Sequence, residues 1–469
     1  MWSSSYRRRA PLASRPILLR LVLWLSQAAA PLVATGAQAP DASQRSAAPA
    51  RTTQVSGSTS EVVRLGDIYA SVRQNNPKIA AARSLAEAYR ARIPGAGLPP
   101  DPQLQLGFMN YTIPGLRPMD PLGMTQLQVM QMIPTAGKLG LTSRIASSQA
   151  AAERERAVDV EWELRSVTAM AYYELYDAEQ AIAIATETRR LLQDIAAVAR
   201  TMYEVGEGRQ ADVLRAQVEI ARMTEEITRM QAMRSAAAAR LNALLDRDPA
   251  SAVGTAALPR FPDDVPVEER LVSVASRNRP MIRAGVEDVQ AADAMAVRAR
   301  RELWPDLIVG AQYGQRSGEM GAERMGSLMF GASLPIFAGK RQLKMRDEAA
   351  AMRAMAEADL QYMRADTRGR IGEALAALNR ARNLTRLYST TVLPQAEATV
   401  ASAMAAYRVG QVDFMTLLDD RMTVNNYRQE LATLQAEEGR AWAELEMLTG
   451  TELFDPYVTA LAASSGGKP

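Results

Sequence analysis

Residues 124–141 read MTQLQVMQMIPTAGKLGL, and the fold turns on this stretch. Leu127 and Val129 alternate with Gln126 and Gln128, the period of two expected of a strand with one apolar face. Past Ile133-Pro134 and Gly137-Lys138 the pattern becomes helical and stays so. The same events recur at residues 326–343, GSLMFGASLPIFAGKRQL, where Leu328, Phe330, Ala332 and Leu334 alternate with Met329, Gly331 and Ser333 before Gly339-Lys340.

Working outward, the chain is read as two copies of one unit. At an offset near 204, Tyr203-Glu204-Val205-Gly206 lies over Tyr407-Arg408-Val409-Gly410, and Leu214, Leu241 and Leu244 lie over Leu418, Leu445 and Leu448. Asn76-Pro77 matches Arg279-Pro280, and Leu98-Pro99-Pro100-Asp101 matches Leu303-Trp304-Pro305-Asp306. An ordered series at one spacing marks an internal repeat. The expected units are 61–247 and 268–450, with a Pro-containing connection at 248–267 and a tail at 451–469. Each unit opens with a helical segment (Leu65 to about Arg92; Leu271 to about Arg301). A hairpin of two strands follows, its first strand carrying Leu104, Leu106 and Phe108, or Leu307, Val309 and Ala311. Each ends in a long rod that turns and returns as a shorter helix.

From Leu139 to Tyr203 only Gly140 interrupts a run free of glycine and proline, and Leu164, Val167, Ala171, Leu175, Ala178, Ile182, Ala185, Leu192 and Ala199 recur at three- and four-residue steps. Such a run makes a rod of roughly 100 Å at ~1.5 Å per residue, too long for a compact core. In the second copy, Arg341 to Tyr407, Pro394 should remove a backbone hydrogen bond and kink the rod. Gly206 and Gly410 mark the turns.

The N-terminus reads as a signal peptide over 1–37: Arg7, Arg8, Arg9, Arg15 and Arg20 flank a short apolar run, Ile17 to Leu25, before small residues. Residues 38–60 read as a disordered leader rich in Ala, Ser, Thr, Gln and Pro. Of the chain's 469 residues, 55 are Lys or Arg and 52 are Asp or Glu, a net charge of +3. Removing the five signal-peptide arginines leaves 50 basic against 52 acidic groups, so the basic appearance belongs to the signal peptide. Histidine and cysteine are absent, which excludes disulfide frameworks, iron–sulfur clusters, Cys/His zinc sites and His-dependent triads. The two Ala-Gly-Lys sequences lack the upstream glycine and following Ser or Thr of a phosphate loop. No basic stripe suits nucleic acid. The expectation is a protein that is not an enzyme and has no cofactor.

Four strands of about ten residues match a tilted bilayer crossing, with Gln, Gly, Ser and Met facing inward and Leu, Val and Phe outward. The smallest closed membrane barrels have eight strands, so several chains must share one barrel. The alternatives are a soluble α+β protein with four edge-protected strands, or a periplasmic coiled-coil adaptor without a pore; the adaptor does not account for two hairpins of alternating apolarity. Met109, Met119, Met124, Met130 and Met132 in the first hairpin, and Met320, Met325 and Met329 in the second, offer soft thioethers that suit Cu(I) or Ag(I) cargo. Alternatively they fill space, as Met345, Met352, Met355 and Met363 do at helical packing steps.

The stretch Val392-Leu393-Pro394-Gln395-Ala396 through Tyr407-Arg408-Val409-Gly410-Gln411-Val412-Asp413-Phe414 to Leu417-Leu418-Asp419-Asp420 resembles the signature of TolC-type outer membrane efflux proteins. Tyr203 to Gly206 with Ala211-Asp212-Val213-Leu214, and both strand-to-helix junctions, are similar to that family too. The resemblance implies an α+β membrane protein: a homotrimer with a shared 12-stranded β-barrel in the outer membrane and a 12-helix periplasmic tunnel. It implies docking to a periplasmic adaptor and an inner-membrane pump, making an exit duct of a tripartite efflux system. It also implies a tip closed by inward carboxylates and a tyrosine, placed here at Asp212, Tyr407 and Asp419, with Asp420 alongside. Three copies of such carboxylates about an axis would make a cation-selective constriction. Thr416 stands where close members carry a carboxylate, and Val412 where they carry a basic residue. The plainer alternative makes Asp212 a helix cap and Asp419 or Asp420 a solvated face.

Overall fold

The computed structural model describes residues 62–119, 122–318 and 321–458. The signal peptide, the leader, Met320 and the last part of the tail lie outside the described residues. In chain order the elements are β1 (Val62–Val63), α1 (Leu65–Asn75), α2 (Pro77–Ala96), β2 (Gln103–Met109), β3 (Tyr111–Thr112), β4 (Arg117–Pro118), β5 (Met124–Ile133), α3 (Lys138–Glu204), α4 (Gln210–Leu244) and β6 (Thr255–Ala256). The second half runs α5 (Glu268–Asn278), α6 (Pro280–Arg301), β7 (Leu307–Gly318), β8 (Gly321–Ala332), α7 (Gln342–Leu387), a π-helical turn (Tyr388–Val392), α8 (Leu393–Arg408) and α9 (Phe414–Thr449). The two halves thus repeat one order: paired helices, hairpin, rod, returning helix.

The opening helical segment of each half is two helices. Pro77 and Pro280 force the residue before them into extended backbone, with ψ of 122° at Asn76 and 118° at Arg279. Asn76 then caps α2, accepting from the Lys78 amide at 2.9 Å while its own amide donates to the Leu244 carbonyl at 2.8 Å. The first rod, α3, is one unbroken helix of 67 residues, about 100 Å long. The second rod is interrupted. A π-helical turn at Tyr388–Val392 absorbs the amide that Pro394 lacks, and α8 starts with that proline in its first turn. The apolar stripe of α3 also differs from the expected one in detail. Val167 turns outward and Ile182 is half-buried, whereas Tyr172, Tyr173 and Tyr176 are buried.

The four main strands form one antiparallel sheet, ordered β2-β5-β7-β8, so each hairpin pairs within itself and β5 joins the two halves through β7. Among the described residues, the outer edges of β2 and β8 pair with no other strand. Where the helices of both halves meet, a core gathers Trp442, Tyr172, Tyr173, Leu65, Ile79, Leu241, Ile371 and Leu448. The two-residue strands β1 and β6 pair in parallel beside it. The buried Tyr172 hydroxyl accepts from the Ala257 amide at 2.8 Å and lies 2.8 Å from the Val63 carbonyl, tying both short strands to α3. Glu446, wholly buried, takes hydrogen bonds from the Leu453 amide at 2.8 Å and from Arg165 at 3.1 Å, so residues 451–454 fold back onto the core. Burial pushes its carboxyl above the ordinary range, with Arg165 pulling the other way. A second core, of Leu192, Ile195, Ala216, Met223, Phe414, Leu417 and Leu418, lies near the turns at Gly206 and Gly410.

Candidate functional site

Three places on this scaffold carry the residues of interest: the faces of the sheet, the junctions from strand to rod, and the turns at the far end of the rods. On the sheet, residues directly opposite in register share a face. One face carries Leu104, Leu106 and Phe108 on β2, Leu127 and Val129 on β5, Leu307, Val309 and Tyr313 on β7, and Leu328 and Phe330 on β8. The other carries Gln103, Gln105, Gln126, Gln128, Gln312 and Ser327, with Gly107, Gly310, Gly314 and Gly331. Met109, Met124, Met130, Met132, Met325 and Met329 all belong to this polar face and none to the apolar one. Met130 and Met329 flank Gly310 on the neighbouring strands, and a Cβ at Gly310 would meet both side chains at 3.3–3.4 Å. The sheet thus opposes a mainly apolar face, interrupted by Gln131 and Gln315 near the strand ends, to a hydrogen-bonding one.

At the junction after β5, Gly137 takes a left-handed conformation (φ 74°) that turns the strand into α3. Lys138 then points back under the sheet. Its ammonium, only 6% exposed, donates to Asp306 Oδ1 at 2.8 Å and the Trp304 carbonyl at 3.0 Å, and lies 3.4 Å from Glu302 Oε2. The Thr135 amide and hydroxyl donate to Asp306 Oδ1 (3.1 Å) and the Pro305 carbonyl (2.5 Å). This clamp binds the junction of the first half to the segment leading into β7 in the second. A methionine-lined groove of about 870 Å³ lies below it between α3, α6 and α7, with Met345, Met352, Met355 and Met363 on its wall.

At the other end, the turns at Gly206 (φ 83°) and Gly410 (φ 71°) need the left-handed backbone that glycine adopts at least cost. Asp212 is half-buried in the first turn of α4, where Arg209 holds the cap position without a side-chain bond. Asp413 holds the matching position of α9 and does cap it, accepting from the Thr416 amide at 3.0 Å and hydroxyl at 2.6 Å. Thr416 therefore serves the cap at the position where a carboxylate was expected. Tyr407 is buried against Phe414, ring edge to face at 5.8 Å. Its hydroxyl is pushed above its ordinary range first by burial, then by the nearby Asp212 charge. Tyr407 and Asp212 are thus within electrostatic reach of each other, with no hydrogen bond between them. Asp419 and Asp420 sit further along α9, the first exposed and the second half-buried, and neither pairs with a basic group among the described residues.

Two features here escape a reading of the sequence. Arg421 is buried within the stripe Leu417, Leu418, Val424 and Asn425, a basic residue at a packing position. Burial and the neighbouring Arg428 both lower its affinity for its proton, while Glu187 and Glu397 oppose them. One helical turn on, Asn425 accepts from Thr188 of α3 at 2.8 Å in a buried bond between the first rod and the returning helix α9. The spacing of Arg421 within an apolar stripe was the available signal.

The sequence model of the outer membrane efflux protein family matches residues 68–247 and 271–451, about three quarters of the chain. No curated relative matches by sequence alone. Among solved structures, the outer membrane protein VceC from Vibrio cholerae is similar at 18% identity and TM-score 0.71, over 83% of this chain and 96% of that one. CusC, whose structures concern folding and transmembrane channel formation, has 18% identity and TM-score 0.70, over 83% and 92%. The open-state MtrE outer membrane channel of Neisseria gonorrhoeae has 16% identity and TM-score 0.69, over 83% and 90%. At these identities the structural likeness speaks to the fold alone.

Proposed function

The chain belongs to the outer membrane efflux protein family, and from that premise we propose that it is the passive outer membrane exit channel of a tripartite efflux system. Three copies would close one 12-stranded barrel, and their rods would continue it as a 12-helix tunnel through the periplasm to an adaptor and an inner-membrane pump. The observation that carries this reading is the four-stranded sheet: one face apolar, the other Gln, Ser, Gly and Met, and both edges unpaired. Four strands cannot screen their own edges from lipid, and a ring of three copies leaves none exposed. An adaptor without a pore has no use for such a sheet.

In this arrangement the tip would be the constriction. Asp212 beside Tyr407 and the unpaired Asp419 and Asp420 would ring the axis and favour cations, with Gly206 and Gly410 at the turns. The test is conductance of the purified protein in planar bilayers, before and after Asp212→Ala with Asp419→Ala. The expected result is conduction by the parent and higher leak or weaker cation preference in the double variant. A protein that stays soluble and never conducts overturns the channel reading. An unchanged leak and ion preference overturns the gate assignment alone.

A second reading concerns cargo. All six described strand methionines lie on the polar face, where space-filling would spread them over both. Thioethers along the conducting wall would favour soft monovalent cations such as Cu(I) or Ag(I). Met130→Leu with Met329→Leu should sensitise cells to silver, and unchanged tolerance would count against this reading.

A further inference from the structure

The duplicated junctions are chemically alike and differently covered. After β5, Pro134, Thr135 and Ala136 are half-buried and Lys138 is buried, because the segment leading into β7 folds over them. After β8, the matching Leu334 to Lys340 is exposed except for half-buried Pro335 and Ala338: Ile336 is 80% and Phe337 72% exposed, and Lys340 reaches no acidic group among the described residues. The repeat-mate of the covering segment is also bare. Leu98-Pro99-Pro100-Asp101, which matches Leu303-Trp304-Pro305-Asp306, is exposed throughout, and Asp101 meets no basic group among the described residues. One half of an unmade clamp therefore lies beside each open edge of the sheet: Lys340 past β8, Asp101 before β2.

A motif and its complement at opposite edges of one unit cannot meet within that unit. They meet between copies placed head to tail around a ring. We infer that Lys340 forms with Asp101 of the partner subunit the ion pair that Lys138 forms with Asp306 within each chain, an inference that rests on the trimeric channel reading above. The backbone carbonyl of Pro99 would take the place of Trp304's.

The internal pairing also fixes the strand register across the interface. Within the chain, Val129 of β5 faces Ala311 of β7, and Ile133 faces Leu307. Carried over by the repeat matches, Phe330 faces Leu106 of the partner subunit, Ala332 faces Leu104 and Ser333 faces Gln103. This register sets apolar Leu328, Phe330 and Ala332 beside apolar Phe108, Leu106 and Leu104, while Ser333 and Gly331 meet Gln103 and Gln105. A slip of one residue would set Phe330 against Gln105 or Gly107 of the polar face, so the face pattern independently supports the register. Two contacts have no counterpart. The Thr135 hydroxyl, which donates to the Pro305 carbonyl, is matched by Ile336. Glu302, the second carboxylate on Lys138, matches Gly97, so the lock between copies holds one acidic group where the internal lock holds two.

The chain has no cysteine, which makes a clean test available. Full-length protein carrying Gln103→Cys and Ser333→Cys, oxidised as the purified trimer, should run as covalent trimer in denaturing gel. The pair Gln103→Cys and Gly331→Cys, two residues out of register, should give at least tenfold less. Separately, Lys340→Asp and Asp101→Lys should each lower the temperature at which the detergent-solubilised trimer dissociates, and the double swap should restore it. A trimer that forms normally, shows no in-register cross-link and ignores both charge changes overturns this inference and leaves the channel reading intact. Parent protein that is monomeric by light scattering in detergent overturns both.

Discussion

Lys138→Met removes one ammonium and keeps most of the side chain's volume. Three partners lose their donor: Asp306 at 2.8 Å, the Trp304 carbonyl at 3.0 Å and Glu302 at 3.4 Å. Breaking a fully buried pair by deleting one member costs about 3–5 kcal/mol, because the other charge is stranded. Here the stranded carboxylates keep some water, with Asp306 19% and Glu302 25% exposed, and Asp306 retains the Thr135 amide at 3.1 Å. Discounting for that solvent and that donor gives about 2–3 kcal/mol. The loss falls on the junction, so it should show as local opening and not as global unfolding. Hydrogen exchange of a peptide spanning residues 133–141 reads that opening directly, and its protection should fall about 30- to 150-fold. Lys340→Met, at the bare junction, should leave the same peptide unchanged. Protection within threefold of the parent in Lys138→Met would refute the argument that this clamp fixes the join between sheet and rod.

Other substitutions probe the packing and the tip. Gly439→Ala would gain about 1 kcal/mol of helix propensity, but its Cβ would come within 2.2–2.7 Å of the buried Tyr173 ring. Overpacking of that size costs about 3 kcal/mol, so thermal unfolding should show a net loss near 2 kcal/mol, smaller in a Tyr173→Leu background. Tyr172→Phe strands the Ala257 amide and should cost about 2 kcal/mol, read as faster exchange at residues 255–258. Asp413→Ala should lose the cap of α9 and about 1 kcal/mol, raising protease cleavage near Gly410. Arg209→Asp, at the uncapped matching position of α4, should move the same measurement the other way near Gly206.

The strands and rods were legible because each imposes one unbroken period on its residues. Leu127 to Val129 and Leu328 to Phe330 alternate, and Leu164 to Ala199 recur at helical steps. The duplication was legible because Asn76-Pro77, Gly206 and Lys138 each have mates at nearly one spacing. What stayed hidden was nonperiodic or nonlocal. The breaks at Asn76 and Arg279 interrupt the backbone but not the apolar pattern. The π-helical turn adds one residue, which the sequence shows only as phase drift before Pro394. The strands β1 and β6 are two residues each and owe their pairing to Tyr172, more than a hundred residues from β1. The partners of Lys138 lie over 160 residues away, so the sequence marks the lysine without showing what it holds. Near the turns, the sequence marks Asp212, Tyr407, Asp419 and Asp420, but in the proposed trimer their separation across its axis would depend on other copies of the chain.

The open edges of the sheet bear on the protein's life before it reaches its destination. A lone copy offers two templates for strand addition beside an apolar face, the surface that invites pairing with any stray extended segment. In the proposed trimer, closing the ring from separate copies would be a meeting of three bodies, so the waiting time would lengthen steeply as the protein is diluted. The hazard therefore belongs to traffic and timing more than to the finished assembly. Sparse expression should lengthen that exposed interval, and escorts that cover β2 and β8 in transit should shorten it.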